Sequence, residues 1–272
     1  MLFRSLPQAH KLIFAFQLAV TYPLFLYANF SGYIDIIMGI ARLMRIRLPE
    51  NFDRPFSATS FLEFWNRWHI TLSSWLKAYV YNPLLLVLMR RIPSPSLQVY
   101  IGVFCYFVTF FLIGIWHGRT SEFAVYGVLL GGGAAANKLW QSSLTEKLGR
   151  KGYKALAANL FYIAFARGLT FSWFSLSLFW FWADWKQISI AYRNPGPAYW
   201  VATWMAVWLC ATVVLAAWEQ SRAVLLSIQT AEGPVLTSRY ARVVYASSLA
   251  LTAVVVTLLM NQPAPAIVYK AF

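Results

Sequence analysis

The chain has 272 residues and a net charge of +14, yet 60% of its residues are hydrophobic and only 12% are charged. Soluble domains carry about a quarter charged residues. The composition therefore excludes an ordinary water-soluble domain and predicts an all-α, polytopic integral membrane protein. Nucleic acid is not the expected partner of the basic excess. The Lys and Arg residues fall between apolar runs rather than along one face, as they do when they set orientation in a bilayer. Cys105 and Cys210 lie in separate apolar runs and form neither a disulfide nor a metal pattern.

The opening "MLFRSLPQAHKLIFAFQLAV" lacks a small-residue cleavage site and runs on into apolar sequence. It is expected to be a retained helix rather than a signal peptide. Spans of about 20 apolar residues, enough to cross a hydrocarbon core, are expected at about 12–30, 97–116, 122–140, 156–182, 199–218 and 243–260. Residues 31–44 either extend the first span or start another. About six to seven transmembrane helices, with short interfacial or re-entrant helices, are expected within one membrane domain, 1–272.

A polar motif region occupies 31–83. It holds Asp35, Glu50, Asp53 and Glu63 together with Arg42, Arg45, Arg47, Arg54, Arg67 and Lys77. Pro49 and Pro55 break any helix there. Ser60 precedes Glu63 by three positions, the spacing of a capping box. Phe61, Trp65, Trp68, Leu72, Trp75 and Tyr79 follow at helical spacing. The expected element is an amphipathic interfacial helix with its Trp rings at headgroup level, ending at Asn82-Pro83. Glu63 and Arg67, four apart, are spaced to pair. His69, between Trp68 and Ile70, is as readily structural as functional by position alone.

The site-histidine segment is 97–118. No charged side chain occurs from Leu97 to Trp116, and the run ends at His117. Ionisable groups at membrane depth are rare and usually functional, although a histidine beside Trp116 also suits a headgroup boundary. His10, beside Lys11, reads as interfacial and has no assigned role. Gly131, Gly132 and Gly133 lie inside a predicted span, and close helix packing explains them better than a phosphate loop. The segment 138–154 carries five basic residues against Glu146 alone, and 219–242 carries Arg222, Arg239 and Arg242 against Glu219 and Glu232. Both are expected to be cytoplasmic loops, which places His117 toward the outer side.

Two histidines 48 residues apart, without a G-x-S-x-G elbow, a phosphate loop or an H-E-x-x-H pair, suit proton chemistry better than zinc. No metal is expected. Apolar burial keeps an imidazole neutral and able to take a proton from a hydroxyl. Acyl transfer from a thioester to an alcohol needs such a base and no protein nucleophile, provided that donor and acceptor are held together.

"FSGYIDIIMGIARLMRIRLPENFDRPF", "FWNRWHITLSSWLKAYVYNPL" and "IGIWHG" resemble the membrane-bound O-acyltransferase (MBOAT) family, most of all its bacterial alginate O-acetyltransferase branch. The resemblance is best over 27–140 and covers only the C-terminal part of that family. Relatives carry more membrane helices upstream, so the chain is expected to be a fragment or a truncated product. Three places depart from the family pattern, two of them short stretches. Lys77-Ala78-Tyr79 stands for Arg-Asp-Tyr, Leu85-Leu86 for Gly-Gly, and Asn29 for an acid.

The resemblance implies part of a helical funnel, with His117 as the essential histidine and His69 as the second. Trp65, Arg67, Trp68, Ser73, Trp116 and Asp35 would bind substrate or support the site. It further implies acetyl-CoA or another acyl thioester as donor, with no bound cofactor. The acceptor would be an exported polysaccharide or a periplasmic acetyltransferase partner, at a bacterial inner membrane. A non-catalytic scaffold that docks a partner enzyme and a proton-coupled transporter are the alternatives. The transporter ranks last, because Asp35 is the only acid even marginally within a span.

Overall fold

A backbone in lipid must close its hydrogen bonds within itself, which favours helices. A computed structural model of the chain is built in this way. The structure describes residues 8–193, 196–230, 233–234, 243–244 and 247–248. The helices are α1 (Gln8–Leu43), α2 (Phe61–Trp65), α3 (Ile70–Leu76), α4 (Asn82–Arg91), α5 (Gln98–Trp116), α6 (Ser121–Ala157), α7 (Leu160–Trp182), α8 (Trp185–Arg193) and α9 (Pro197–Ser227). A π-helical turn, Lys77–Tyr81, joins α3 to α4, and short 3-10 turns occupy Pro55–Ser57 and Pro95–Leu97.

The chain divides into two compact units, Met1–Leu215 and Ala216–Phe272. The described part of the second unit contains the end of α9 and a two-residue antiparallel pair, Gln229 opposite Pro234 and Thr230 opposite Gly233. The first unit holds every element discussed below.

Ala15–Leu43, Pro95–Trp116 and Pro197–Ser227 are long and apolar enough to cross a membrane, and α6 with α7 forms a further bent pair at 89°. The expected segments 12–30 and 31–44 therefore join in one helix, while 122–140 and 156–182 become arms of the bent pair. The expected span 243–260 lies almost wholly outside the described residues.

The expected loop at 138–154 is instead helix. Its Lys, Leu, Glu and Gln residues are good helix formers and carry α6 on to Ala157, with one break at Gly149, whose φ is 69°. Asn82-Pro83 does not stop the helix either. Proline is tolerated in a first helical turn, and Pro83 sits in the first turn of α4.

Two devices position the core. Glycines let α5 and α6 approach closely, because a Cβ at Gly127 or Gly131 would lie 2.6 Å from the carbonyl oxygen of Phe111 or Phe107. Gly131 thus does what its small size predicts, whereas a Cβ at Gly132 would meet nothing within 4 Å. The second device is aromatic. Phe64, Trp65, Trp68 and Phe174 are buried in one cluster with Ile113, Tyr126, Leu130 and Leu178. The first half of the expected interfacial helix is therefore embedded among α5, α6 and α7. Trp75 and Tyr79 in its second half remain exposed.

Candidate functional site

The polar motif region folds around Ser60. Its hydroxyl accepts the backbone N–H of Glu63 at 3.1 Å and starts α2. The reciprocal half of the capping box is absent. Glu63 Oε2 instead accepts the Thr59 N–H at 2.8 Å and the Thr59 hydroxyl at 2.7 Å, and Oε1 accepts Arg67 Nη2 at 2.7 Å. Burial alone would raise the Glu63 carboxyl, but the hydrogen bonds from Thr59 and Arg67 outweigh it and hold it below its ordinary value. Arg67 Nη1 donates to Ser57 Oγ at 3.0 Å, and the buried Arg167 donates from Nε to the Ser57 carbonyl at 3.2 Å. Two arginines from distant elements are thus tied to one 3-10 turn.

This anchoring interrupts the expected continuous helix. α2 stops at Trp65, and residues 67–70 run beside 51–53. The Asp53 N–H donates to the Arg67 carbonyl at 2.9 Å, and the Ile70 N–H donates to the Asn51 carbonyl at 2.9 Å. His69 sits at the restart of the helix with φ 45° and ψ 56°, in the left-handed region. Such a backbone costs a non-glycine residue about 1–2 kcal/mol and, where the surroundings enforce it, often marks a functional position. The His69 ring lies with Nδ1 3.3 Å from Asn51 Oδ1, and Phe30 packs edge-on with centroids 5.0 Å apart.

His117 caps the far end of α5, its N–H donating to the Gly114 carbonyl at 3.2 Å. Its ring is boxed by Trp116, Phe181 and Tyr126 at centroid distances of 5.0, 5.1 and 5.8 Å. Burial pushes the His69 imidazole down to about 4. Burial, and then the nearby His69, push His117 down to about 4 as well. Both rings are neutral near pH 7, and they are close enough for a charge on His69 to disfavour one on His117.

A chamber opens between α2–α3 and α5. Its walls include Trp65, Ser73, Lys77, Tyr81, Tyr106 and Ile113. Ser73 follows His69 by four residues and Ile113 precedes His117 by four, about one helical turn in each case, and neither histidine is itself in the chamber wall. The indole Nε1 of Trp65 is buried and has no hydrogen-bond partner among the described residues. Ser73 Oγ donates to the Trp68 carbonyl at 3.2 Å.

The structure thus gathers His69, His117, Trp65, Arg67, Trp68 and Ser73 around one region. Asp35 is not part of it, since it is exposed on α1 with no hydrogen bond or ion pair among the described residues. Trp116 touches the His117 ring but is 56% exposed. Asn51, Phe30, Tyr126 and Phe181 escape sequence reasoning. Asn51 carries no signal of its own in the sequence, and only the long-range register brings it to His69. No group of three or more His, Cys, Asp or Glu side chains able to hold a metal occurs among the described residues.

Residues 1–166 match the MBOAT, membrane-bound O-acyltransferase family. The teichoic acid D-alanyltransferase of Streptococcus thermophilus is 33% identical over 155 residues, covering 56% of this chain and 37% of that protein. The probable alginate O-acetylase AlgI of Pseudomonas aeruginosa is 37% identical over 109 residues, or 40% of this chain and 19% of that protein. The peptidoglycan O-acetyltransferase of Helicobacter pylori is 38% identical over 117 residues, or 43% and 21% of the two chains. The matched stretch thus spans little more than a third of these relatives at most.

Proposed function

Because the chain belongs to the membrane-bound O-acyltransferase family, we propose that it carries the reaction centre of an O-acyltransferase that moves a short acyl group from a thioester onto a glycan hydroxyl. The observation that carries this reading is the pair of neutral, part-buried histidines, His69 and His117, near enough for one ring to act on the charge of the other. A neutral imidazole in an apolar box accepts a proton from an alcohol, and such general-base help is worth roughly 10²–10⁴-fold in rate.

His117 takes the hydroxyl proton as the acceptor oxygen attacks the thioester carbonyl carbon. The ester bond forms and the carbon–sulfur bond breaks. The thiolate leaves, and the proton held by His117 returns to it. The Trp65 N–H in the chamber wall, without a partner among the described residues, is a donor for the carbonyl oxygen as charge builds there. Arg67, held by Glu63 and Ser57, fixes the turn that carries His69.

Acetyl-CoA is the proposed donor and an exported polysaccharide, alginate-like or of the cell wall, the proposed acceptor. Relatives named as alginate and peptidoglycan O-acetylating proteins support the acetyl group, and the teichoic acid D-alanyltransferase keeps D-alanyl transfer as the second reading. A periplasmic acetyltransferase that relays the group is the proposed partner, and a bacterial inner membrane the proposed location. The basic end of α6 would face the cytoplasm.

Labelled acetyl-CoA supplied to membranes containing the protein tests the reading. Label in the glycan ester supports it. Label from D-alanyl thioester but not from acetyl-CoA favours the second reading. Incorporation no greater than in membranes without the protein removes both and leaves a scaffold.

A further inference from the structure

We infer that Asn51 is a positioning residue for His69, holding the proton of its neutral ring on Nδ1 and leaving Nε2 as the ring's only acceptor. This rests on the acyltransferase reading only for its consequence in catalysis.

Amide O and N atoms of asparagine are interchangeable by shape, and the hydrogen-bond partners decide between them. The backbone N–H of Thr71 can only donate, and it lies 3.0 Å from the Asn51 atom that faces it. That atom is therefore the oxygen. The Thr71 hydroxyl meets the same oxygen at 2.8 Å, and His69 Nδ1 meets it at 3.3 Å. An oxygen offers no proton, so the contact is a hydrogen bond only if Nδ1 carries one.

Asn51 is only 8% exposed, so water has little access to compete for this oxygen. Its own carbonyl accepts the Ile70 N–H at 2.9 Å, which pins both faces of residue 51 against 69–71. The left-handed backbone at His69 and the edge of Phe30 then hold the ring plane. Burial independently favours the neutral ring in which the tautomer matters.

A side chain that merely fills space would leave the tautomer alone, so the tautomer is the test. The chain has three histidines, and a His69→Gln variant identifies the signals of the ring. Nitrogen-15 spectra of histidine-labelled protein in lipid nanodiscs at pH 7.5, without substrate, distinguish a protonated from an unprotonated ring nitrogen. Nδ1 of His69 is expected to be protonated and Nε2 bare. Asn51→Asp keeps the acceptor and should keep this pattern. Asn51→Leu should move the proton wholly or partly to Nε2. In acyl transfer, Asn51→Leu should lower kcat by roughly ten- to a hundred-fold with little change in KM, as loss of a partner that orients a histidine does elsewhere.

Nε2 protonated in the unaltered protein overturns the inference, as does an unchanged tautomer in Asn51→Leu. If Asn51→Leu fails to accumulate, the unaltered protein and Asn51→Asp still decide it. The expected tautomer in a protein without acyl-transfer activity would remove the enzymatic reading and leave the positioning role standing.

Discussion

The hydroxyl of Ser175 on α7 donates to the carbonyl of Ala19 on α1 at 2.5 Å. Ala19 lies four residues before Pro23, which sits inside α1. Proline has no N–H, so the Ala19 carbonyl has lost its helical partner. Ser175 replaces that partner from a helix 156 residues away, and so ties α1 to the core that holds the site.

Ser175→Ala should therefore lower stability by about 1–3 kcal/mol, the cost of an unsatisfied buried acceptor. Adding Pro23→Ala restores an N–H to the Ala19 carbonyl and should recover part of the loss. Thermal unfolding in detergent across the four variants measures this coupling. Strictly additive effects would show that the two residues are not linked.

The glycine row supplies a matched pair. Gly131→Val puts a side chain 2.6 Å from the Phe107 carbonyl oxygen and should separate α5 from α6, sharply lowering the yield of folded protein. Gly132→Ala meets nothing within 4 Å and should be neutral, or stabilising by about 0.5–1 kcal/mol through helix propensity. Equal behaviour of the two in size-exclusion yield would contradict the packing of these helices.

Much of this fold is legible in the sequence because membranes make the code simple. Uninterrupted apolar runs must be helices, which recovers α1, α5, α7 and α9, and small residues in a span predict close packing. What the sequence hides is anything set by tertiary register. The 60–79 periodicity reads as one interfacial helix, yet Glu63, Arg67 and Ser57 anchor a break that turns Trp65 and Trp68 inward. His117 stands out because it ends an apolar run. Asn51 does not, because its partner lies 18 residues away across a turn.

Arg67 contacts Glu63 and Ser57 through two different nitrogens of one guanidinium. Lysine keeps the charge but not the fork. Arg67→Lys should lower acyl transfer per inserted molecule by several-fold or more while the protein still accumulates. Activity and level both equal to the unaltered protein would show that the turn does not need this clamp.

The two imidazoles, held down to about 4 from an ordinary 6.5 by burial, make a signed pH prediction. The bases are neutral above about pH 4, so acyl transfer should be flat from pH 5.5 to 7.5 and fall only on further acidification. Between about 6.5 and 4 the unfolded chain binds more protons than the folded one, so these histidines reduce stability as pH drops through that window. A half-maximal rate near pH 6.5 assigned to either ring would show that the site is wet and the rings are not protected.

The central claim is that His117 acts as the base, and His117→Ala tests it most directly. The measurement is acetyl incorporation from labelled acetyl-CoA into glycan or partner protein, divided by the amount of membrane-inserted chain. Insertion should be normal with incorporation lowered by about 10²–10⁴-fold, and His69→Ala should lose less. Incorporation per inserted molecule close to that of the unaltered protein would contradict it.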